Sequence, residues 1–505
     1  MRFRSAVFAA VATAAAMGCG FNQEGIPPAR NQIFYPGGMV VDPGGNWLYV
    51  VNSNADLRFN DGTLIAVNLW KALKDRADAL IPGPNQPEVC VDLKFFNPLS
   101  AATDYCCWDA LDHNVLNCDE RQYVQEDLTV KIGSFGSAID LLETPVKDGS
   151  RLLVAVRGNS SITWITVTNP VPADPTVPAD PTTPPVPPKI ECSSAAGGFV
   201  ECDERHRISQ TDEPVGIPNK VSTQLLLPEE PYALAVDDQQ LLLYVGHLRS
   251  GFLSSIDLSV TPADYGVADL ERAPAPKLIG TFPSIFPGDV NGSAGVTSLT
   301  VTDAKGINTG RVYATSRFLP RAGAFAPISY GTPHGDPTMD NPMTFLAAAG
   351  DNFVSPLPGA ETRGIQVIPG IARTFMLQRT PPALIAFNTL DGPNNNVASD
   401  VLEMCSGPTF LHMHSPTGSQ DDMQLFVTCF ESGQVYVVDP YVPRLVTIIE
   451  VGRGPAGLAF SPADPGVAFV VGFGSNNVSV IDLKTDSDTR YHVVQRIGFA
   501  NPVPR

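Results

Sequence analysis

Several side chains able to hold a ligand close strongly apolar runs. Asn52 ends WLYVVN, Arg157 ends LLVAVR and His247 ends LLLYVGH, while Ser316, Gln378, Cys429 and Gly472 end comparable runs. Arg249, Arg317, Arg379 and Glu431 follow within two residues of such ends. A guanidinium presents a planar fork of donors that matches a carboxylate or a phosphate. If the runs converge, Asn52, Arg157, His247, Arg249, Arg317 and Arg379 form a candidate binding set for a small anion. The competing expectation is that each arginine pairs with a local Asp or Glu or points to solvent. His412 and His414 are a second candidate, because alternate residues of a strand share a side, and Cys405 is nearby in sequence. A transition metal needs further ligands at workable spacing. None is adjacent, so a structural role is expected and no metal or other cofactor. The turns at Asn291-Gly292, 391–396 and Asn476-Asn477 lack calcium-loop spacing and read as ordinary Asn/Asp turns. No GxSxG, HExxH, phosphate-binding loop or dinucleotide fingerprint occurs, which lowers the expectation of an enzyme without removing it.

The elements that carry these residues follow from composition and repetition. The chain has 505 residues and a formal charge of −19, from 52 acidic against 33 basic residues. Nucleic-acid binding needs a basic footprint, so that class is excluded as an expectation. With 43 Gly and 47 Pro, long helices are disfavoured and many short strands fit better. One unit recurs. Its last copy reads GPAGLAFSP, then VAFVVGFGSNNVSVIDL, then a strand near Val493 to Phe499. Earlier copies read GGMVVDP, WLYVVNSNAD, GTLIAVNL and PYALAVDD, LLLYVGHLR, FLSSIDL. Aligning first strands places Met39, Ile139, Leu234, Leu299, Ile365, Leu411 and Leu458 in register, with final intervals of 46 and 47 residues. That length suits one four-stranded propeller blade.

These copies resemble the YVTN-type β-propeller repeat. The resemblance implies an all-β chain, a seven-bladed β-propeller of four-stranded antiparallel blades over residues 31–505. A pair of β-sandwiches is the alternative, and the even late spacing disfavours it. The same geometry implies that second-to-third-strand loops ring one mouth of a central channel, where propeller ligands sit.

Two insertions follow third strands. Residues 69–122 hold an expected helix from Leu69 to Leu80 and the segment Cys90 to Cys118. Residues 169–218 hold a run with nine prolines and a Cys192 to Cys202 loop. Such a run favours extended polyproline II and reads as a spacer, with a ligand for a Pro-binding partner as the alternative. Both insertions are expected to decorate one face. Setting Cys19 aside, the cysteines are Cys90, Cys106, Cys107, Cys118, Cys192, Cys202, Cys405 and Cys429. An even set in an exported protein implies disulfides. Proximity pairs Cys192 with Cys202 and Cys405 with Cys429, leaving the other four to pair among themselves.

The start of the chain reads as an address. Arg2 and Arg4 precede an apolar stretch from Ala6 to Met17 that is too short to span a bilayer. The sequence Ala16-Met17-Gly18-Cys19 resembles a bacterial lipobox, with Ala16 where Leu is usual. The resemblance implies a signal peptide over 1–18, a lipid on Cys19, a tether over 19–30 and, with Gly20 next, an outer-membrane lipoprotein of the cell envelope. The expected function is a non-enzymatic binding or interaction scaffold. Its partner would be an envelope protein or a small anionic ligand, and its membrane contact would run only through the lipid. The alternative is a propeller enzyme of lactone-hydrolase or quinoprotein type. Cys19→Ala is expected to abolish lipid labelling and release the protein from membranes, and unchanged fractionation of that variant would refute the anchor.

Overall fold

The computed structural model describes residues 25–83, 86–90, 105–143, 150–168, 183–192, 200–202, 206–208, 227–238, 241–258, 276–282, 286, 293–301, 312–328, 344–368, 371, 373–388 and 397–498. The expected signal segment, Cys19, most of the proline run, Asn291-Gly292 and 391–396 lie outside these residues. Among the described residues, no helix is long and apolar enough to cross a membrane.

Seven antiparallel sheets, each with four strands in chain order, make the seven blades of a β-propeller. The first strands surround the axis: Pro36–Val41, Gly136–Glu143, Pro231–Asp237, Val296–Val301, Ala360–Ile368, Pro408–His414 and Pro455–Phe460. Each touches the first strands on both sides, and that of blade seven touches that of blade one. A small sheet with two apolar faces hides both only against neighbours. Seven buried clusters therefore fill the seven blade interfaces. Second strands such as Trp47–Asn52 and Val467–Gly472 are buried at every position, which explains their unbroken apolar sequence.

The register of the first strands repeats around the ring. Met39, Ile139, Leu234, Leu299, Ile365, Leu411 and Leu458 occupy equivalent pairings, opposite Val50, Val154, Val245, Ala314, Met376, Val427 and Val470. Each packs into the cluster shared with the preceding blade. The next residue faces the following blade. There Asp140 accepts from Val236 N (2.9 Å), Thr300 donates to Ile365 O (2.8 Å) and Gln366 donates to Leu411 O (3.1 Å). Burial pushes the Asp140 carboxyl up from its ordinary value, against the opposing pull of two backbone donors.

Two residues before each of these positions the strand bulges, because one residue is skipped in the pairing. The bulged residues are Gly37, Ser137, Tyr232, Thr297, Arg363, Thr409 and Ala456. Two residues earlier again, the backbone is left-handed at Tyr35 (φ 46°), Phe135 (61°), Glu230 (52°), Gly295 (67°), Glu361 (67°), Gly407 (67°) and Gly454 (66°). Glycine is at ease there and other residues are strained by about 1–2 kcal/mol. The carbonyl freed by this turn accepts from the residue just past the second strand, as in Tyr35 O with Ser53 N (3.0 Å) and Gly454 O with Phe473 N (2.8 Å).

The insertions depart from expectation. The expected helix forms as α1 (Leu69–Ala79), capped by the Asn68 side chain, with Leu69, Ala72, Arg76 and Ala79 on its buried face. The following hairpin, Cys106–Trp108 and Leu116–Cys118, does not simply decorate a loop face. Leu116–Cys118 adds in parallel to Gln495–Ile497, the outer strand of blade seven. Gln495 Nε2 donates to Ala72 O of α1 (3.1 Å), and Arg496 pairs with Asp109 (3.1 Å). The second insertion behaves alike. Lys189–Glu191 is the fourth strand of blade two rather than spacer, and Val200–Glu201 adds in parallel to Val130–Lys131 of blade one. Each insertion thus reaches back to the outer edge of the preceding blade, where unpaired backbone groups await a strand. The disulfides are Cys90–Cys107, Cys106–Cys118, Cys192–Cys202 and Cys405–Cys429. The first two fix the hairpin that closes blade one onto blade seven. Replacing Cys106 and Cys118 together by serine is expected to cost roughly 2–4 kcal/mol of unfolding free energy, with hydrogen-exchange protection lost first along Gln495–Ile497. Unchanged denaturant midpoint and protection would show that the hairpin holds the closure without its staple.

Candidate functional site

The bulges decide what faces the channel. An extra residue breaks the alternation of the strand and re-aims a side chain. Six of the seven bulged residues, Gly37, Ser137, Tyr232, Arg363, Thr409 and Ala456, line a cavity of about 200 Å³ at the mouth formed by the second-to-third-strand loops. Arg379, Phe410, Phe430 and Phe473 complete its wall. Phe430 and Phe473 come from the position just past a second strand, tied to the left-handed carbonyl, and Arg379 holds the equivalent position inside the longer strand Arg373–Thr380.

The wall has two unlike halves. On blades three and five, Arg363 Nη1 donates to Tyr232 Oη (3.1 Å), and Arg363 Nη2 pairs with Glu361. Arg379 lies 3.8 Å from Glu361 and 3.2 Å from Glu431. A hydrogen bond from Ser406 Oγ (2.6 Å), and then Arg379, hold the Glu431 carboxyl below its ordinary range. Arg157 pairs with Glu230 at 3.6 Å and sits 5.8 Å from the Tyr232 ring centre. The Nε atoms of Arg157 and Arg363 are buried and make no hydrogen bond among the described residues. On blades six and seven, the wall carries aromatic rings: Phe430 and Phe473 lie 6.0 Å apart, and Phe473 also meets Tyr35, outside the wall, edge-on at 5.3 Å.

Of the six candidates read from the sequence, the cavity takes Arg379 directly, with Arg157 behind Tyr232. Arg157 lies one residue beyond its strand, Ser150–Val156, so it matches Arg379 rather than Asn52 in the ring. Arg249 points outward, 4.0 Å from Glu229, with both side chains 68% exposed. Arg317 rests 5.0 Å from the Phe318 ring. Local pairing, the competing expectation, therefore accounts for much of the arginine set. Asn52 and His247 are fully buried latches. Asn52 accepts from Phe34 N (3.0 Å) and donates to Gln32 O (2.9 Å) and Thr63 Oγ1 (3.0 Å). His247 joins Glu229 O (3.1 Å) to Ser254 Oγ (2.9 Å). Both tie the segment leading into the first strand to a third-strand hydroxyl. The Ser254–His247 pair resembles a nucleophile and base, but both residues are sealed from solvent. Sequence reasoning passed over Tyr232, Arg363, Phe430 and Phe473. Their signal was position: Tyr232 and Arg363 stand two residues before Leu234 and Ile365.

His412 and His414 do share a side, facing blade seven. His414 stacks on Phe460 at 3.8 Å and bonds Pro465 O through Nε2 (2.7 Å). Cys405 is in a disulfide. Among the described residues, no group of three or more His, Cys, Asp or Glu is placed to hold a metal ion.

No protein-family model matches the chain, and no curated protein matches it in sequence. Among solved structures, it is similar to a functionally unknown protein from Desulfotomaculum acetoxidans, at 11% identity and a TM-score of 0.43, covering 77% of this chain and 91% of that one. It is also similar to a "putative 6-phosphogluconolactonase" from Bacteroides fragilis, at 12% identity and a TM-score of 0.44, covering 84% and 86%. Likenesses this slight carry neither fold nor function across.

Burial lowers the pKa of both His247 and His412 from 6.5 to about 4. Between these values the unfolded chain binds protons that the folded chain refuses. Stability therefore falls as pH drops through this window, by up to about 1.4 kcal/mol per pH unit for each histidine, and levels off below it. His247→Asn, which supplies the side chain used at Asn52, is expected to fold and to reduce this slope. Denaturant unfolding at about pH 7.5 and about pH 4.5 checks it, and an unchanged slope would show that His247 titrates normally.

Proposed function

We propose that this chain is a binding propeller of the bacterial envelope, held to the membrane through lipid on Cys19, and that its channel mouth takes a small ligand bearing an anionic group beside an apolar ring. The supporting observation is the two-sided wall: Arg363, Arg379 and Tyr232 on one half, Phe430 and Phe473 on the other. Tyr232 Oη accepts from Arg363, so its own proton remains available to a ligand oxygen. Pockets for drug-sized molecules run to about 300–1,000 Å³. This one, at about 200 Å³, suits a single ring with one acidic group. A carboxylate and a phosphate present the same chemistry to these donors.

The cavity hydroxyls argue for holding rather than transforming. Thr409 Oγ1 donates to Gly407 O (2.9 Å), and Ser137 Oγ lies among the carbonyls of Ala155, Pro231 and Tyr232 at 3.3–3.4 Å. A nucleophilic hydroxyl needs a base instead.

Phenylacetate and phenyl phosphate, titrated calorimetrically, are expected to bind the purified protein. Arg363→Gln is expected to weaken them at least about tenfold, the loss of roughly one charge-assisted hydrogen bond, with a native circular dichroism spectrum retained at the temperature of the titration. Equal binding by the variant, or no binding of either probe, would overturn the reading.

A further inference from the structure

We infer that the lipid anchor turns the channel mouth toward the membrane, so that the face carrying the cavity is the surface apposed to the lipid. The inference rests on the proposed lipid at Cys19 and on the place where the described chain begins. Gly25 lies against Asn60, and Asn60 N donates to Ile26 O (3.0 Å). Asn60 belongs to the loop between Trp47–Asn52 and Thr63–Asn68 of blade one. That second-to-third-strand loop stands on the same face as the mouth. From Ile26 the chain runs inward to Tyr35, whose N–H donates to Asn476 Oδ1 (2.7 Å) in the equivalent loop of blade seven. The leading segment is therefore fastened to the mouth face at both ends.

The reach of the tether decides the orientation. Six peptide steps separate Cys19 from Gly25, and fully extended they span roughly 20 Å. A six-residue strand such as Trp47–Asn52 alone spans about 17–20 Å. Bringing the lipid to the opposite face would consume the whole tether along the side of blade one, where the fourth strand and Val200–Glu201 already stand. Nothing would remain to leave the protein surface. The mouth face also holds apolar side chains out to solvent, Leu57 at 60% and Phe318 at 54% exposure, in the loops of blades one and four. Such side chains tolerate a lipid headgroup region. The opposite face has exposed apolar side chains too, among them Val442 at 62%, so exposure alone would not choose between the faces. The tether does.

The test uses the lipidated full-length protein on phosphatidylethanolamine–phosphatidylglycerol vesicles whose acyl chains carry bromine. Phe318→Trp places a reporter on the mouth face, and Val442→Trp places one on the loop between the third and fourth strands of blade six. With the wild-type signal subtracted, the Phe318→Trp reporter is expected to be quenched at least twofold more than the Val442→Trp reporter. Equal or reversed quenching, or none at either site, while membrane binding still depends on Cys19, would overturn the orientation and leave the anchor standing. Membrane binding that survives Cys19→Ala would remove the anchor, and the orientation with it.

Discussion

A sheet of four short strands with two apolar faces has no stable existence alone; every other feature answers the need to cover both faces. Around most of the ring, the next blade in sequence provides the cover. The interface between blades seven and one must be made by parts of the chain that are furthest apart. Its cluster joins Met39, Val50 and Ile65 to Phe469, Val478 and Ile497, and brings in Leu69, Ala72, Leu116 and Cys118 from the first insertion. The inserted hairpin thus belongs to the closure and not to a loop face. Its disulfides make rigid a segment too short to hold a strand conformation unaided.

The same packing produces the cavity. Neighbouring first strands approach closely: a Cβ added at Gly38 would sit 3.3 Å from Ala138 Cα, and one at Gly364 would sit 2.7 Å from Leu411 Cβ. Positions this tight cannot display functional side chains. The bulge gives each blade one residue outside the alternation, and the left-handed turn two residues earlier sets its direction. At Glu230 and Glu361 this turn carries a carboxylate where glycine would be relaxed. Both are paired with arginines of the mouth, Arg157 and the Arg363–Arg379 pair. Tyr35 and Phe135 hold the same turn in blades one and two, so its strain belongs to the ring's repeat.

The ring was legible in the sequence because burial on both faces leaves an unbroken apolar signature, as in LYVV and VAFVV, at nearly fixed spacing. All seven register residues stand where the alignment put them, and short separation gave Cys192–Cys202 and Cys405–Cys429 but not the pairing among Cys90, Cys106, Cys107 and Cys118. The outer edges were not legible. Val200–Glu201 and Lys189–Glu191 are short segments whose strand conformation is imposed by the edge they meet, not by their own periodicity. The mouth was half legible. Ends of second strands point near it, but residue type could not tell the latches, Asn52 and His247, from a cavity-wall residue such as Arg379. A bulge is also invisible to a period of two. Arg363 and Tyr232 therefore looked like ordinary strand residues.

The parallel pairing of Leu116–Cys118 with Gln495–Ile497 has a temporal consequence. Cys118 and Gln495 are 377 residues apart, so an early-made platform waits for the last-made strand. Pairings of such separation are slow to form, because the intervening loop must close before any contact rewards it. Closure of the ring therefore depends on a contact between the insertion of blade one and the outer strand of blade seven.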